Sequence, residues 1–289
     1  MSARTSIEWT ERTWNPVTGC DRVSAGCDHC YALTLAARLK AMGSRRYQLD
    51  GHPLTSGPGF GLQLHHDLVD APRQWRKPAV VFVNSMSDLF HERIPFEFLA
   101  AVFATMEATP QHTYQILTKR ATHLTRVAGR LPWPPNVWMG VSVELQVQVA
   151  RRVRRLLRVP AAVRFLSVEP LLGPVNLYPL LCECIDLYGA NGLPLGDPAK
   201  RWRCVECGAL HQQERLYGTR SIHWVIAGGE SGPRARPCNP NWLRALRDQC
   251  RDGGVPFFLK QIGGHPDKRG HDKALLDGQL WREMPERVA

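Results

Sequence analysis

Six short apolar runs recur along this chain, each closed by polar residues and most followed by a helical pattern. They are AVVFV at 79–83, YQILT at 114–118, VWMGV at 137–141, VRFLSV at 163–168, HWVIA at 223–227 and VPFFL at 255–259. Compact apolar runs of this length predict strands buried on both faces. Between them the chain turns amphipathic. From Pro95, for example, Phe96, Leu99, Val102, Phe103 and Met106 fall on one helical face. Strands alternating with helices build a parallel sheet. With a seventh strand expected near residue 20, the count is high for a small open sheet. The prediction is an α/β fold, a partial or complete (β/α) barrel of parallel strands, formed as one domain over 1–289.

In such barrels the chemistry sits at the carboxyl ends of the strands. Here those ends carry Ser85, Ser87, Asp88, Thr118, Lys119, Ser142, Glu144, Glu169, Gly228, Gly229, Glu230, Lys260 and Gln261. That is more polar side chains than helix capping requires, so part of this set is expected to line one pocket.

Ahead of the first run lies TWNPVTGCDRVSAGCDHCY at 13–31. It spaces Cys20, Cys27 and Cys30 as C-x6-C-x2-C. Asn15-Pro16, Gly19 and Gly26 make it a loop, which lets the sulfurs converge. The helix-forming YALTLAARLK follows, so the thiols sit where a helix dipole favours negative charge. A structural zinc site takes four protein ligands. Three thiolates with one open position suit a 4Fe–4S cluster. Two other readings stay open: His29 as the fourth ligand of a zinc ion, or inert buried thiols.

One block interrupts the alternation. Between 179 and 218 stand Cys182-Glu-Cys184 and Cys204-Val-Glu-Cys207, two close pairs that read as a zinc-ribbon-like insertion. Gly189, Gly192, Pro194, Gly196 and Pro198 make this block a segment that needs metal to fold. Nine cysteines, no signal-peptide pattern and no apolar run long enough to span a bilayer predict a cytoplasmic, metal-binding protein.

The net charge of +11, from 37 basic and 26 acidic residues, suits nucleic acid as a partner. After the third run, Arg151, Arg152, Arg154, Arg155 and Arg158 are expected on the outward side of a helix. That side is either solvated or in contact with phosphate. His65 and His66 are expected in a solvated loop.

Taken together, TWNPVTGC…GCDHCYA, FVNSMSDLFH, QILTKR, VWMGVSVE, RFLSVEPLLGPV, WVIAGGESG and VPFFLKQ resemble, in this order, a known family. It is the phage-type three-cysteine family of unknown function, found in phage and bacterial genomes. The resemblance runs from about residue 6 to the C-terminus, with the 179–218 block inserted. That family is similar to radical S-adenosylmethionine enzymes, with three cluster cysteines ahead of a partial barrel. Spore photoproduct lyase, a DNA-repair enzyme, is an analogue within that group.

The resemblance implies a 4Fe–4S cluster on Cys20, Cys27 and Cys30, S-adenosylmethionine as cofactor, and radical chemistry on nucleic acid or a nucleotide. It implies Asp88, Lys119 and Glu169 as catalytic residues. Tyr31, Ser85, Ser87, Ser142, Glu144, Gly228, Gly229, Glu230 and Lys260 would hold the cofactor. Six residues separate Cys20 from Cys27 where radical enzymes commonly have three between the corresponding pair, and Tyr31 follows the last cysteine where an aromatic usually precedes it. Cys238 is a candidate fourth ligand. With it, the chain would be a non-catalytic iron–sulfur and zinc protein that binds nucleic acid.

Overall fold

A computed structural model describes residues 5–177, 202–203, 210–211 and 222–286. Seven strands form one parallel sheet: β1 (Arg12–Trp14), β2 (Val80–Val83), β3 (Thr113–Thr118), β4 (Val137–Ser142), β5 (Val163–Val168), β6 (Trp224–Gly228) and β7 (Phe257–Gln261). Their order in the sheet is their order in the chain, with β1 and β7 at the edges. The result is an α/β half-barrel. The expected seventh strand is β1, which enters the cysteine loop directly. It is too short to show as an apolar run.

The two faces of the sheet differ. Outward residues such as Val81, Ile116, Met139, Leu166, Val225 and Leu259 join the main core with the helices. Those helices are α2 (Phe96–Glu107), α3 (Ala121–Val127) and α4 (Pro240–Asp252), whereas α1 (Tyr31–Ala41) buries Ala32 and Ala36 in a small separate cluster with Phe60 and Met86. Asn239 caps α4, its side chain accepting from Asn241 N, with Pro240 at the first turn.

Inward residues alternate with these. Phe82, Trp138, Val163, Phe165, Trp224, Ile226 and Phe258 form a separate cluster with Trp9. Trp9 meets Phe82 at 4.7 Å and Trp224 at 6.2 Å, both edge-on, so it bridges β2 to β6 and plugs the barrel floor. Gly140 leaves room there for Phe165, whose ring would lie 2.4 Å from a Cβ at that position.

Two expectations are corrected. The helix after β4 is broken: 146–148 and 154–156 are α-helical, but Val149–Val153 forms a π-helical turn. Arg152 lies three residues after Val149 and four before Leu156, both buried, so it sits at the edge of the apolar stripe and turns into the protein instead of joining the outward row. Arg151, Arg154 and Arg158 remain exposed, Arg155 is half-buried, and Arg152 is buried. His65 is also buried rather than solvated, with Nε2 2.9 Å from Thr18 Oγ1.

Near the C-terminus a hairpin around Asp277-Gly278 pairs Leu275 with Leu280, and both turn residues have positive φ. Trp202–Arg203 and Leu210–His211 pair antiparallel. The four expected zinc ligands, Cys182, Cys184, Cys204 and Cys207, lie outside the described residues. Among those residues, no helix is long and apolar enough to cross a membrane.

Candidate active site

The cysteine loop runs across the carboxyl ends of the strands and touches them one after another. After β2, Ser87 Oγ donates to Gly19 O at 2.5 Å, and the two residues form a parallel bridge. Past β3, Arg120 reaches Cys20 Sγ at 4.0 Å and Asp21 O at 3.0 Å. From the end of β4, Glu144 Oε1 accepts from Ser24 Oγ at 2.8 Å. Following β6, Glu230 Oε2 lies 2.8 Å from His29 Nδ1. The loop then returns, and Tyr31 donates its hydroxyl to Ser85 O at 2.5 Å.

Local sequence explains how the loop is entered. Asn84 follows β2 at φ 60°, a conformation asparagine tolerates, and its Oδ1 accepts from Val17 N. Asn15 Oδ1 accepts from Ser85 Oγ and Met86 N. Two asparagines thus stitch the cysteine loop to the end of β2. Asp21 fixes the next stretch by accepting from Thr55, Ser56, His91 and Arg93. Burial opposes the Asp21 charge, but these donors hold its carboxyl well below the usual range.

Beneath the loop, the inner face turns polar. Lys119 Nζ lies 3.3 Å from Ser142 Oγ and 3.9 Å from Glu144. Burial works against the Lys119 ammonium, yet Cys27, Glu144 and Cys30 outweigh it and raise its pKa. Glu169 Oε1 accepts from Lys260 Nζ at 2.8 Å and Gln261 Nε2 at 3.2 Å. Tyr31, 55% exposed, stands at the rim of the same space beside Cys30 and Glu169. Lys119, Glu169, Lys260, Ser142 and Tyr31 therefore share one chamber between the aromatic floor and the cysteines.

Other predicted residues are tied to the scaffold. Asp88 Oδ1 accepts from Phe90 N and Thr118 Oγ1, and its Oδ2 from Lys119 N. Glu144 is held by Arg152 at 2.9 Å and 3.1 Å. At Gly228 a Cβ would be 3.5 Å from Glu169 Cδ, so this glycine borders the chamber. At Gly229 it would fall 2.2 Å from Ile262 O and 2.8 Å from Cys238 Cβ, so here glycine is required by packing. Cys238 packs on Gly229, and burial pushes its thiol up to about 11.

Sequence reasoning missed Asn15, Asn84, Asp21, Ser24, Arg152 and Arg236. For Arg236 there was a signal: a glutamate closing a buried strand needs a cation. Arg152 gave one too: three residues after Val149 and four before Leu156, it borders the apolar stripe of its helix.

The thiols suit an iron–sulfur cluster by donor type and by surroundings. Burial and Asp88 push the Cys20 thiol up to about 12 against the pull of Arg120. Such a thiol stays neutral unless a metal takes it directly. Three thiolates outweigh the charge of an oxidised four-iron core, and Lys119 and Arg120 stand beside the cysteines as counter-charges. Among the described residues, no three His, Cys, Asp or Glu side chains gather closely enough to hold a metal ion.

The sequence matches the family model described as "Protein of unknown function (DUF5131)" over residues 4–285. No curated protein matches it. Two solved structures are similar to the chain. The first is a single mutant of spore photoproduct lyase with dinucleoside spore photoproduct, at TM-score 0.41 and 13% identity. The second is a double mutant of the same lyase with bound AdoMet and dinucleoside spore photoproduct, at TM-score 0.40 and 13% identity. In each case 59% of this chain and 48% of the lyase chain are covered, so the match spans about half the lyase's length.

Proposed function

The chain belongs to the DUF5131 family of proteins of unknown function, and we propose that it is a phage-type three-cysteine iron–sulfur enzyme of the radical S-adenosylmethionine class. The observation that carries this reading is the placement of Cys20, Cys27 and Cys30. One loop holds all three over the mouth of a half-barrel, above a chamber with an apolar floor and charged walls.

Cys20, Cys27 and Cys30 would ligate a 4Fe–4S cluster and leave one iron open. Bound there, the cluster and S-adenosylmethionine supply one-electron cleavage of a sulfonium carbon–sulfur bond, which yields a carbon radical. This chain's own residues bind and orient. Lys119 is the cation for a carboxylate in the chamber. Glu169, which has one oxygen on Lys260 and Gln261, is the anion for an ammonium. Ser142, Gly228 and Tyr31 complete the walls. The Trp9 plug keeps water out of the floor, which strengthens each charge interaction above it.

A nucleic-acid or nucleotide substrate fits the +11 charge. Arg22 in the cysteine loop and Arg234 in the loop after β6 are exposed on this rim for phosphate contact. The block 179–218 is proposed as a zinc-binding appendage of the single barrel domain.

The test is anaerobic reconstitution with iron and sulfide, followed by EPR of the reduced protein with and without S-adenosylmethionine. The reading predicts a reduced 4Fe–4S signal that changes shape when the cofactor is added. A fully loaded cluster whose signal ignores it overturns the enzyme reading.

A further inference from the structure

Glu144 and Glu230 do more than line the mouth. Each grips a different side of Cys27 and each is matched to an arginine. Glu144 is 1% exposed and Glu230 is 6% exposed. A buried carboxylate is expensive unless it is fully paired. Glu144 accepts from Arg152 Nη1 with both oxygens and from Ser24 Oγ. Glu230 accepts from Arg236 through backbone N, Nε and Nη2, and it meets His29. Arg236 Nη2 also donates to Ala25 O at 2.8 Å. Ser24, Ala25 and His29 are the residues that bracket Cys27.

Both arginines stand on irregular backbone. Arg152 sits in the π-turn at Val149–Val153, beside the buried Val149 and Leu156, and the loop after β6 carries Arg236. The loop after β6 is itself braced: Gly264 N donates to Glu230 O, and Ser231 bridges to Gly264.

The geometry points to Glu144–Arg152 and Glu230–Arg236 as a two-sided clamp, positioning residues that fix the Cys27–Cys30 turn over the chamber before anything binds there. The inference rests on the iron–sulfur reading only for what the thiols then ligate; the clamp itself is a property of the metal-free chain.

The test is alkylation of the metal-free, reduced full chain by N-ethylmaleimide, followed cysteine by cysteine with mass spectrometry. Two variants are compared with wild type: Arg236→Met and Ser24→Ala. Arg236→Met removes a cation, which by electrostatics alone disfavours thiolate and slows alkylation. Release of the turn speeds it. Ser24→Ala changes no charge.

The clamp predicts several-fold faster modification of Cys27 and Cys30 in both variants. Cys250, fully buried in the core, should keep its slow rate. Unchanged or slower Cys27 and Cys30 overturns the clamp. So does a parallel rise at Cys250, which would mean general unfolding. Iron content of the reconstituted wild type is read separately. If the chain takes up no iron, the enzyme reading fails while these rates still decide the clamp.

Discussion

Gly26 packs directly onto Glu144: a Cβ built on Gly26 would lie 2.3 Å from Glu144 Cγ and 2.5 Å from its Oε1. Glu144 cannot step aside, because Arg152 holds both of its oxygens. The glycine between Ser24 and Cys27 is therefore set by a carboxylate that arrives 118 residues later in the chain.

Gly26→Ala should lift the cysteine loop or push Glu144 off Arg152. Overpacking of this kind costs about 1–3 kcal/mol. Urea denaturation should show that loss with the slope unchanged, and reconstitution should yield less bound iron than wild type.

Arg152→Met should be worse. It leaves Glu144 buried with Ser24 and Lys119 as its remaining partners. Removing one member of a buried pair costs about 3–5 kcal/mol. The double variant Arg152→Met with Glu144→Leu should recover part of the loss, because no buried charge is stranded. Equal stability of the single variant and wild type would show that the pair holds nothing.

Glu230 gives a pH signature. Burial opposes its charge, but Arg236 and His29 prevail and push its pKa from 4.5 down to about 2. A carboxyl depressed on folding adds stability above its unfolded value and loses it as pH falls through the folded one. Wild type and Glu230→Gln should differ most above pH 4.5 and converge towards pH 2. Denaturation of the metal-free proteins across that range checks the convergence.

Much of the fold was legible in the sequence. The apolar runs predicted six strands to within two residues at most ends, because parallel strands buried on both faces need continuous apolar sequence. The ring of polar residues after those strands did locate the mouth. Which of them face the chamber was not legible. Asp88 and Glu144 look like free carboxylates in sequence, yet their donors come from Thr118 and Arg152, which only the folded chain brings to them. His65 looked solvated because its partner, Thr18, lies 47 residues away.

Cys20→Ala, Cys27→Ala and Cys30→Ala should each abolish the brown absorbance near roughly 400 nm, because each removes one of the three thiolates proposed to hold the cluster. Cys238→Ala should retain it. Loss of the chromophore in Cys238→Ala alone would assign the fourth ligand to Cys238 and favour a non-catalytic binding protein.

Deleting 181–217 and joining the ends with a short glycine linker should leave iron loading intact and remove bound zinc. Metal analysis of the shortened protein decides this. Loss of iron or of solubility would place that block in the core of the fold.

The most direct test of the enzyme reading is chemical. Reconstituted protein is reduced with dithionite without oxygen, S-adenosylmethionine is added, and 5′-deoxyadenosine is measured by chromatography. The account predicts 5′-deoxyadenosine from wild type and none from Cys27→Ala. A fully loaded wild-type cluster that yields no 5′-deoxyadenosine above the Cys27→Ala background would contradict it.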